Sequence, residues 1–286
     1  MYYPFICKII VSFVIAILLG LIPFSPLHAQ QIADSAFHPP IEKPAYTMGK
    51  GPIVLIDETH NNFHTVTGRY LPFAELLRRD GYMVKAATDS LTPKSLQIAS
   101  VFVTVNARKH FKAEEINNLN EWVRSGGSLL LIADHPPFSE SAAELGQTFG
   151  IQFHQATVYK DRTGRLVFRR SEGTLLDHKI TQGIDSIATF TGSSFRLSGP
   201  GKPLLLFGPE VKAYQESDSS EVMVQGEFQG AVLEWGYGRV AVFGEAAMFS
   251  AQLSGPNRNP MGMNAEIAKQ NPRFLLNLMH WLTRLL

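Results

Sequence analysis

The sequence has a single cysteine, Cys7, and that residue lies in a segment with the marks of a secretory signal. In residues 1–29, Lys8 supplies a positive charge and Ile9 to Phe24 is a nearly unbroken apolar run. Ser25-Pro26-Leu27-His28-Ala29 then breaks the run and ends on a small residue before Gln30-Gln31. Cleavage after Ala29 would leave a chain with no thiol. Such a chain forms no disulfide and offers no thiolate nucleophile. A lipoprotein anchor needs a cysteine at the cleavage point, and Cys7 precedes the apolar run. The alternative for this segment is a retained anchor, since the run approaches the lower limit for a spanning helix, roughly 17 residues. No charged residue follows until Asp34, so a stop-transfer flank is missing. The expected location is periplasmic or secreted, with membrane contact only if the segment is retained.

Other absences narrow the function. Lys and Arg total 26 against 25 Asp and Glu, and Lys8 would leave with the signal. No lysine–arginine run exists. The one local basic cluster, Arg165 with Arg169-Arg170, falls in a stretch that reads as strand or loop, so no nucleic-acid partner is expected. No serine sits in a G-x-S-x-G elbow. Gly126-Gly127 precedes a strand, not a helix, so there is no glycine-rich phosphate loop and no cofactor is expected. The mature chain, of about 257 residues, is long enough for one large α/β domain without disulfides.

What is present is an alternation of strands and helices. Gln30 to Gly51 is polar and proline-rich and reads as an exposed leader before a domain spanning residues 52–286. Pro52–Asp57, Ser100–Val105 and Ser128–Ala133 are short continuous apolar runs, as expected of strands covered on both faces. Tyr70–Arg79, Ala113–Arg124 and Ser139–Phe149 have helical spacing, the last with Ser139 as N-cap. This pattern predicts a doubly wound, mostly parallel sheet. Beyond it, Val158–Phe168 reads as a hairpin turning at Asp161–Gly164. Leu204–Phe207, Ala231–Glu234 and Arg239–Phe243 read as strands, with Gly236-Tyr237-Gly238 turning the last two back on each other. Pro256–Asn264 reads as a surface loop or lid, and Pro272–Leu286 as a final apolar helix.

The segments PIVLIDETHNNF from Pro52, EWVRSGGSLLLIADHPP from Glu121, DHKITQGI from Asp177 and GRVAVFGEAAMFSAQ from Gly238 resemble the class I glutamine amidotransferase-like superfamily. The likeness is to its non-amidotransferase branches, such as trehalose-utilisation-type domains, gliding-motility ABC-transporter accessory domains and exported bacterial domains of unknown function. The resemblance implies a flavodoxin-like three-layer sandwich with a β-rich C-terminal extension. It also shows what this chain lacks. Where amidotransferases carry a cysteine at a strand-to-helix elbow, the sequence reads Asp134-His135-Pro136-Pro137. The late position reads Phe243-Gly244-Glu245, without the histidine partner. Glutamine hydrolysis is therefore not expected.

Ionisable residues begin where three apolar runs stop: Asp57, Glu58 and His60 after the first, Asp134 and His135 after the fourth, and Glu245 after Phe243. In an open parallel sheet ligands bind beyond the carboxyl ends of the strands. These six residues are therefore the candidate ligand-binding site, able to hold a small polar or glycan-like molecule. The plain alternative is that Asp57 and Asp134 only cap loop amides. His60 and His64, with Asp57, Glu58 and His135, would suit a divalent metal if the segment were helical. Asn61-Asn62 favour a loop, so no metal is expected. Asp177-His178 reads as structural. Two function classes follow: a non-catalytic binding domain, or a cysteine-independent, possibly metal-assisted hydrolase using the same acids and imidazoles.

Overall fold

The computed structural model describes residues 31–286. The expected signal segment and its cleavage point after Ala29 lie outside the described residues. The strands, in chain order, are β1 (Gln31–Ala33), β2 (Ile53–Asp57), β3 (Met83–Ala87), β4 (Val101–Val105), β5 (Ser128–Ile132), β6 (Ile151–Phe153), β7 (Thr157–Tyr159), β8 (Arg165–Arg169), β9 (Ser186–Phe190), β10 (Phe195–Leu197), β11 (Lys202–Leu206), β12 (Lys212–Gln215), β13 (Ser220–Met223), β14 (Phe228–Trp235), β15 (Gly238–Phe243), β16 (Ala251–Ser254) and β17 (Asn259–Gly262).

A nine-stranded sheet runs β3-β2-β4-β5-β15-β14-β10-β6, with β11 also paired to β14. From β3 to β15 every pairing is parallel, and β14 reverses direction. The first connection, from β2 to β3, steps one way along the sheet. The next crosses back to β4 on the other side of β2. The switch point of the winding therefore lies between β2 and β4.

Strand periodicity splits the core in two. Val54, Ile56, Val103, Leu130 and Ile132 face one side, with the helices Leu71–Arg79 and Asn271–Leu282. Leu55, Phe102, Leu129 and Leu131 face the other, with helix Ala113–Arg124 and with Leu145 and Phe149. Both faces are covered, which is why β4 and β5 are buried at every position. Phe73, fully buried in the first helix, contributes roughly 1.5–3 kcal/mol by leaving water.

Several expectations are corrected. The Asp161–Gly164 turn forms, with Asp161 accepting from Thr163 N and Oγ1, but its flanking strands do not pair with each other. β7 joins β12, while β8 takes a five-residue register with β9. Long-range partners outcompete the local hairpin. The Pro256–Asn264 stretch is not a lid: it carries the turn and second strand of the β16–β17 hairpin, with Pro260 on an edge strand. The leader is partly bound. β1 pairs with β16, and Phe37, Ile41 and Tyr46 pack on the core. The Ser139–Phe149 region is two short helices, Phe138–Ser141 and Ala143–Thr148. Ser139 lies inside the first and donates to Gln155 Oε1 at 2.7 Å, so it is no N-cap. His178 does cap its own turn, accepting from Ile180 N at 3.2 Å, which fits the structural role expected for it.

Candidate functional site

Because β2, β4, β5 and β15 are parallel, Asp57, Asn106, Asp134 and Glu245 leave the same edge of the sheet. Asp57 and Asp134 are two strand spacings apart, about 10 Å. The six expected residues do share one edge. They do not share one constellation, however.

The first group is closed. Asp57, fully buried, accepts from His60 Nδ1 at 2.9 Å, Thr104 Oγ1 at 2.9 Å, Asn62 Nδ2 at 3.2 Å, and Thr59 N and Oγ1 at 3.0 and 2.8 Å. The second imidazole nitrogen, Nε2, faces Glu115 Oε2 at 3.4 Å, and the ring stacks on Phe111 at 3.9 Å. Glu115 also accepts from Lys112 N at the start of its helix. Burial alone would raise Asp57 and lower His60. The mutual hydrogen bond and attraction reverse both, so Asp57 lies below its ordinary value and His60 above its own. The result is an imidazole ring held between two carboxyl groups. It has no free nitrogen for a substrate or a metal. Glu58 is turned away from it and accepts from Val66 N at 2.8 Å, closing the Thr59–Val66 loop.

That loop also settles the geometry of the two histidines. Asn61 adopts φ 51°, so the segment is not helical and the His60 and His64 rings diverge. His64 lies in the second group, edge-on to Tyr70, with Nδ1 3.4 Å from Asn106 Nδ2. Burial, with Arg69 and Arg108 nearby, lowers His64 to about 3, so it is neutral.

The second group centres on Asp134 and Glu245, at the ends of adjacent strands. Asn106 holds Asp134 from both ends: its Oδ1 accepts from Asp134 N at 2.9 Å and its Nδ2 donates to Oδ2 at 3.3 Å. Ala246 N donates to the same oxygen at 3.4 Å. Asp134 Oδ1 is buried and has no hydrogen-bond partner among the described residues. Glu245, 1% exposed, accepts from Ala247 N at 2.7 Å and Met248 N at 2.8 Å. The backbone amides of the turn after β15 are thus met by the Glu245 side chain itself. Burial first, then the Asp134 charge, pushes Glu245 well above its ordinary value, and burial raises Asp134 also. Burial and mutual repulsion thus both oppose charge on this pair. His135 is half-buried beside it, with Nδ1 3.0 Å from Pro136 O. The backbone beneath is tightly apposed: a methyl at Gly192 would lie 2.2 Å from Gly244 O, so the Ser193 N to Gly244 O bond depends on that glycine.

A third group was not foreseen. Glu227, at the start of β14, accepts from Ser194 Oγ at 2.5 Å and Arg196 Nε at 2.9 Å, and lies 3.3 Å from His154 Nδ1. The residue types invite comparison with a Ser-His-acid relay. The order is wrong: buried Ser194 donates to the carboxylate at 2.5 Å, while His154 Nδ1, at 3.4 Å from Ser194 Oγ, does not lie between the two. Asn106 was also overlooked, although it follows an apolar run just as Asp57 and Asp134 do. Its φ of 47° is one that asparagine tolerates well. Glu115, in the first turn of its helix, was not among the residues expected at this edge.

A family model described as the IFT52 GIFT domain matches residues 53–162. No curated protein sequence matches the chain. Among solved structures, the one titled mmIFT52 N-terminal domain is similar at TM-score 0.63 and 18% identity, covering 80% of this chain and 97% of that one. A cytoplasmic protein from Salmonella typhimurium LT2 aligns at TM-score 0.51 and 10% identity, covering 80% and 98%. Another from Salmonella typhimurium aligns at 0.50 and 11%, covering 81% and 98%. Together with the strand order and the antiparallel C-terminal additions, these likenesses define a class I glutamine amidotransferase-like fold. At such identities they define the fold alone.

Proposed function

We propose that this chain is an exported, non-catalytic member of its fold class that holds a small polar, glycan-like ligand at the carboxyl edge of the sheet, beside Asp134. One observation carries this reading: Asp134 Oδ1 is a buried carboxylate oxygen with no partner among the described residues. A buried acceptor left unpaired costs about 1–3 kcal/mol. A ligand hydroxyl donating to it would recover that cost, and convergent polar groups of this kind fix polar ligands in clefts. The chemistry around it supports binding over turnover. A chain cleaved after Ala29 has no thiol, His60 has both nitrogens engaged, and Ser194 is misdirected.

A hydrolase remains the second reading because the Asp134–Glu245 pair, with its raised acids, resembles carboxyl pairs that share a proton in acid–base enzymes. Weighing against it, Glu245 is nearly inaccessible and both its oxygens face backbone amides. Support for export is the Lys8 and Ile9–Phe24 pattern with the small residue Ala29 at its break.

The test is a thermal-shift screen of the mature protein with neutral sugars and metals, followed by Asp134→Asn. A ligand at a hundredfold excess over its Kd adds about 2.7 kcal/mol, which for a domain of this size raises Tm by about 5–10 °C. Loss of that shift in Asp134→Asn supports the reading. An unchanged shift contradicts it. Intact mass of periplasmic protein should begin at Gln30, and full-length protein recovered only from membranes would contradict export. Ammonia release from glutamine would contradict the absence of amidotransferase chemistry.

A further inference from the structure

The loops above the Asp134 group carry an unusual concentration of positive charge. The guanidinium of Arg69 lies 3.6 Å from the centroid of the Phe63 ring, and that of Arg108 lies 4.4 Å from the same centroid. Two like charges on one small aromatic ring repel each other, and an exposed cation–π contact contributes only about 0.5–1 kcal/mol. Such an arrangement is normally balanced by a carboxylate. Here, among the described residues, neither arginine has an acidic partner within ion-pair distance. Arg69 donates instead to a neutral backbone carbonyl, Gln31 O, at 3.1 Å. The adjoining chain adds Lys109 and His110, both exposed.

The cluster is held in place rather than trailing in solvent. His60 O accepts from both Arg108 N and Lys109 N at 3.0 Å, and Phe63 N donates to Asn106 O at 3.0 Å. The second bond ties the aromatic ring to the residue that grips Asp134. Phe63 also packs on Phe138, at 5.5 Å between centroids, and Phe138 follows closely on His135. His64, adjacent to Phe63, contributes a further donor. Its Nδ1 faces the Asn106 amide and so accepts, which leaves the proton on Nε2. No partner for that N–H exists among the described residues. The arrangement therefore places two cationic forks on loops tied, through Phe63 and Asn106, to the strand end that carries one unpaired carboxylate oxygen.

We propose that Arg69 and Arg108 form an oxyanion clamp, so that the ligand held beside Asp134 is an acidic one: a small polyhydroxylated molecule bearing a carboxylate or phosphate group. This rests on the binding reading above and narrows it. The planar guanidinium fork matches the two oxygens of such a group, whereas a neutral sugar would leave both charges uncompensated. The same positive charge disfavours a metal cation and favours anions beside these loops.

The experiment is calorimetric titration of the mature protein with glucuronate, glucose 6-phosphate, glucose and inorganic phosphate. Glucuronate and glucose 6-phosphate separate carboxylate from phosphate as the recognised group. Either acidic sugar should bind at least about tenfold more tightly than glucose, and binding should weaken as salt rises. Arg108→Gln is the main variant because Arg108 is exposed and its removal leaves the fold intact. It should reduce acidic-sugar affinity to the level of glucose, and Arg69→Lys should weaken it while keeping the charge. Equal binding of glucose and glucuronate, or no effect of Arg108→Gln, overturns the clamp. If binding depends on Arg108 but not on Asp134, the clamp stands and the Asp134 reading fails. If both sugar types bind equally and both need Asp134, the clamp alone fails. No binding by any of the four probes counts against both.

Discussion

Asp57 and Asp134 end parallel strands of one sheet, on one edge, about 10 Å apart. Their surroundings are opposite. Asp57 receives five hydrogen bonds, one of them from a histidine that is held on its other side by Glu115. Asp134 has one oxygen bonded and one buried without a partner, next to an acid that shares its burden of charge. The first group joins the β2 loop to the helix over β4 and reads as stabilisation. The second is under-satisfied, which is costly unless something completes it. Residue type and strand-end position are the same for both. What separates them is how many hydrogen bonds the surrounding loops supply.

The largest effect should come from breaking the closed group. Asp57→Ala removes one side of a buried ion pair and strands His60, Asn62 and Thr104, so it should cost about 3–5 kcal/mol in urea unfolding. A cost below about 1 kcal/mol would mean that the Asp57 network is not structural. Glu115→Ala leaves His60 Nε2 and Lys112 N without their acceptor and should cost about 1–3 kcal/mol. Glu58→Ala releases one loop amide, Val66 N, and should cost about 1 kcal/mol.

The smallest effect, and the one that sharpens the comparison most, is in pH dependence. His60 lies above its ordinary 6.5, so its contribution is complete below that pH and fades as pH rises through its folded value. Asp57 lies below its ordinary 3.8, so its contribution holds above that pH and fades as pH falls through its folded value. Asp134 and Glu245 are raised. The folded state then holds their protons more tightly, and the stability they cost grows as pH climbs above 3.8 and 4.5. Stability should therefore be greatest in mild acid and decline toward alkaline pH. Asp134→Asn should flatten that decline while leaving stability below pH 3.8 almost unchanged. A decline just as steep in Asp134→Asn would place its origin elsewhere.

Much of this was legible in the sequence, for a physical reason. Strands buried on both faces must be continuously apolar, so the points where PIVLI, SVFVTV and SLLLIA give way to ionisable residues mark the carboxyl edge. Which of those residues stay open was not legible. Whether His60 meets Glu115, or Asp134 Oδ1 meets nothing, depends on loops that close across 55 positions in the one case and on the whole packing of the edge in the other. The same holds for β7 and β8. Their turn chemistry was plain, while their partners came from distant strands. Arg69 and Arg108 are far apart in the sequence, and only the fold brings both to the Phe63 ring.

The most direct test of the central claim is one titration of three proteins: wild type, Asp134→Asn and Glu115→Ala, each with the acidic sugar that wild type binds best. If Asp134 marks the ligand site and Asp57 the structural one, Asp134→Asn is at least as stable as wild type and loses binding by about tenfold or more. Glu115→Ala, though less stable, binds as wild type does. The reverse pattern, with binding lost in Glu115→Ala and retained in Asp134→Asn, would contradict the account.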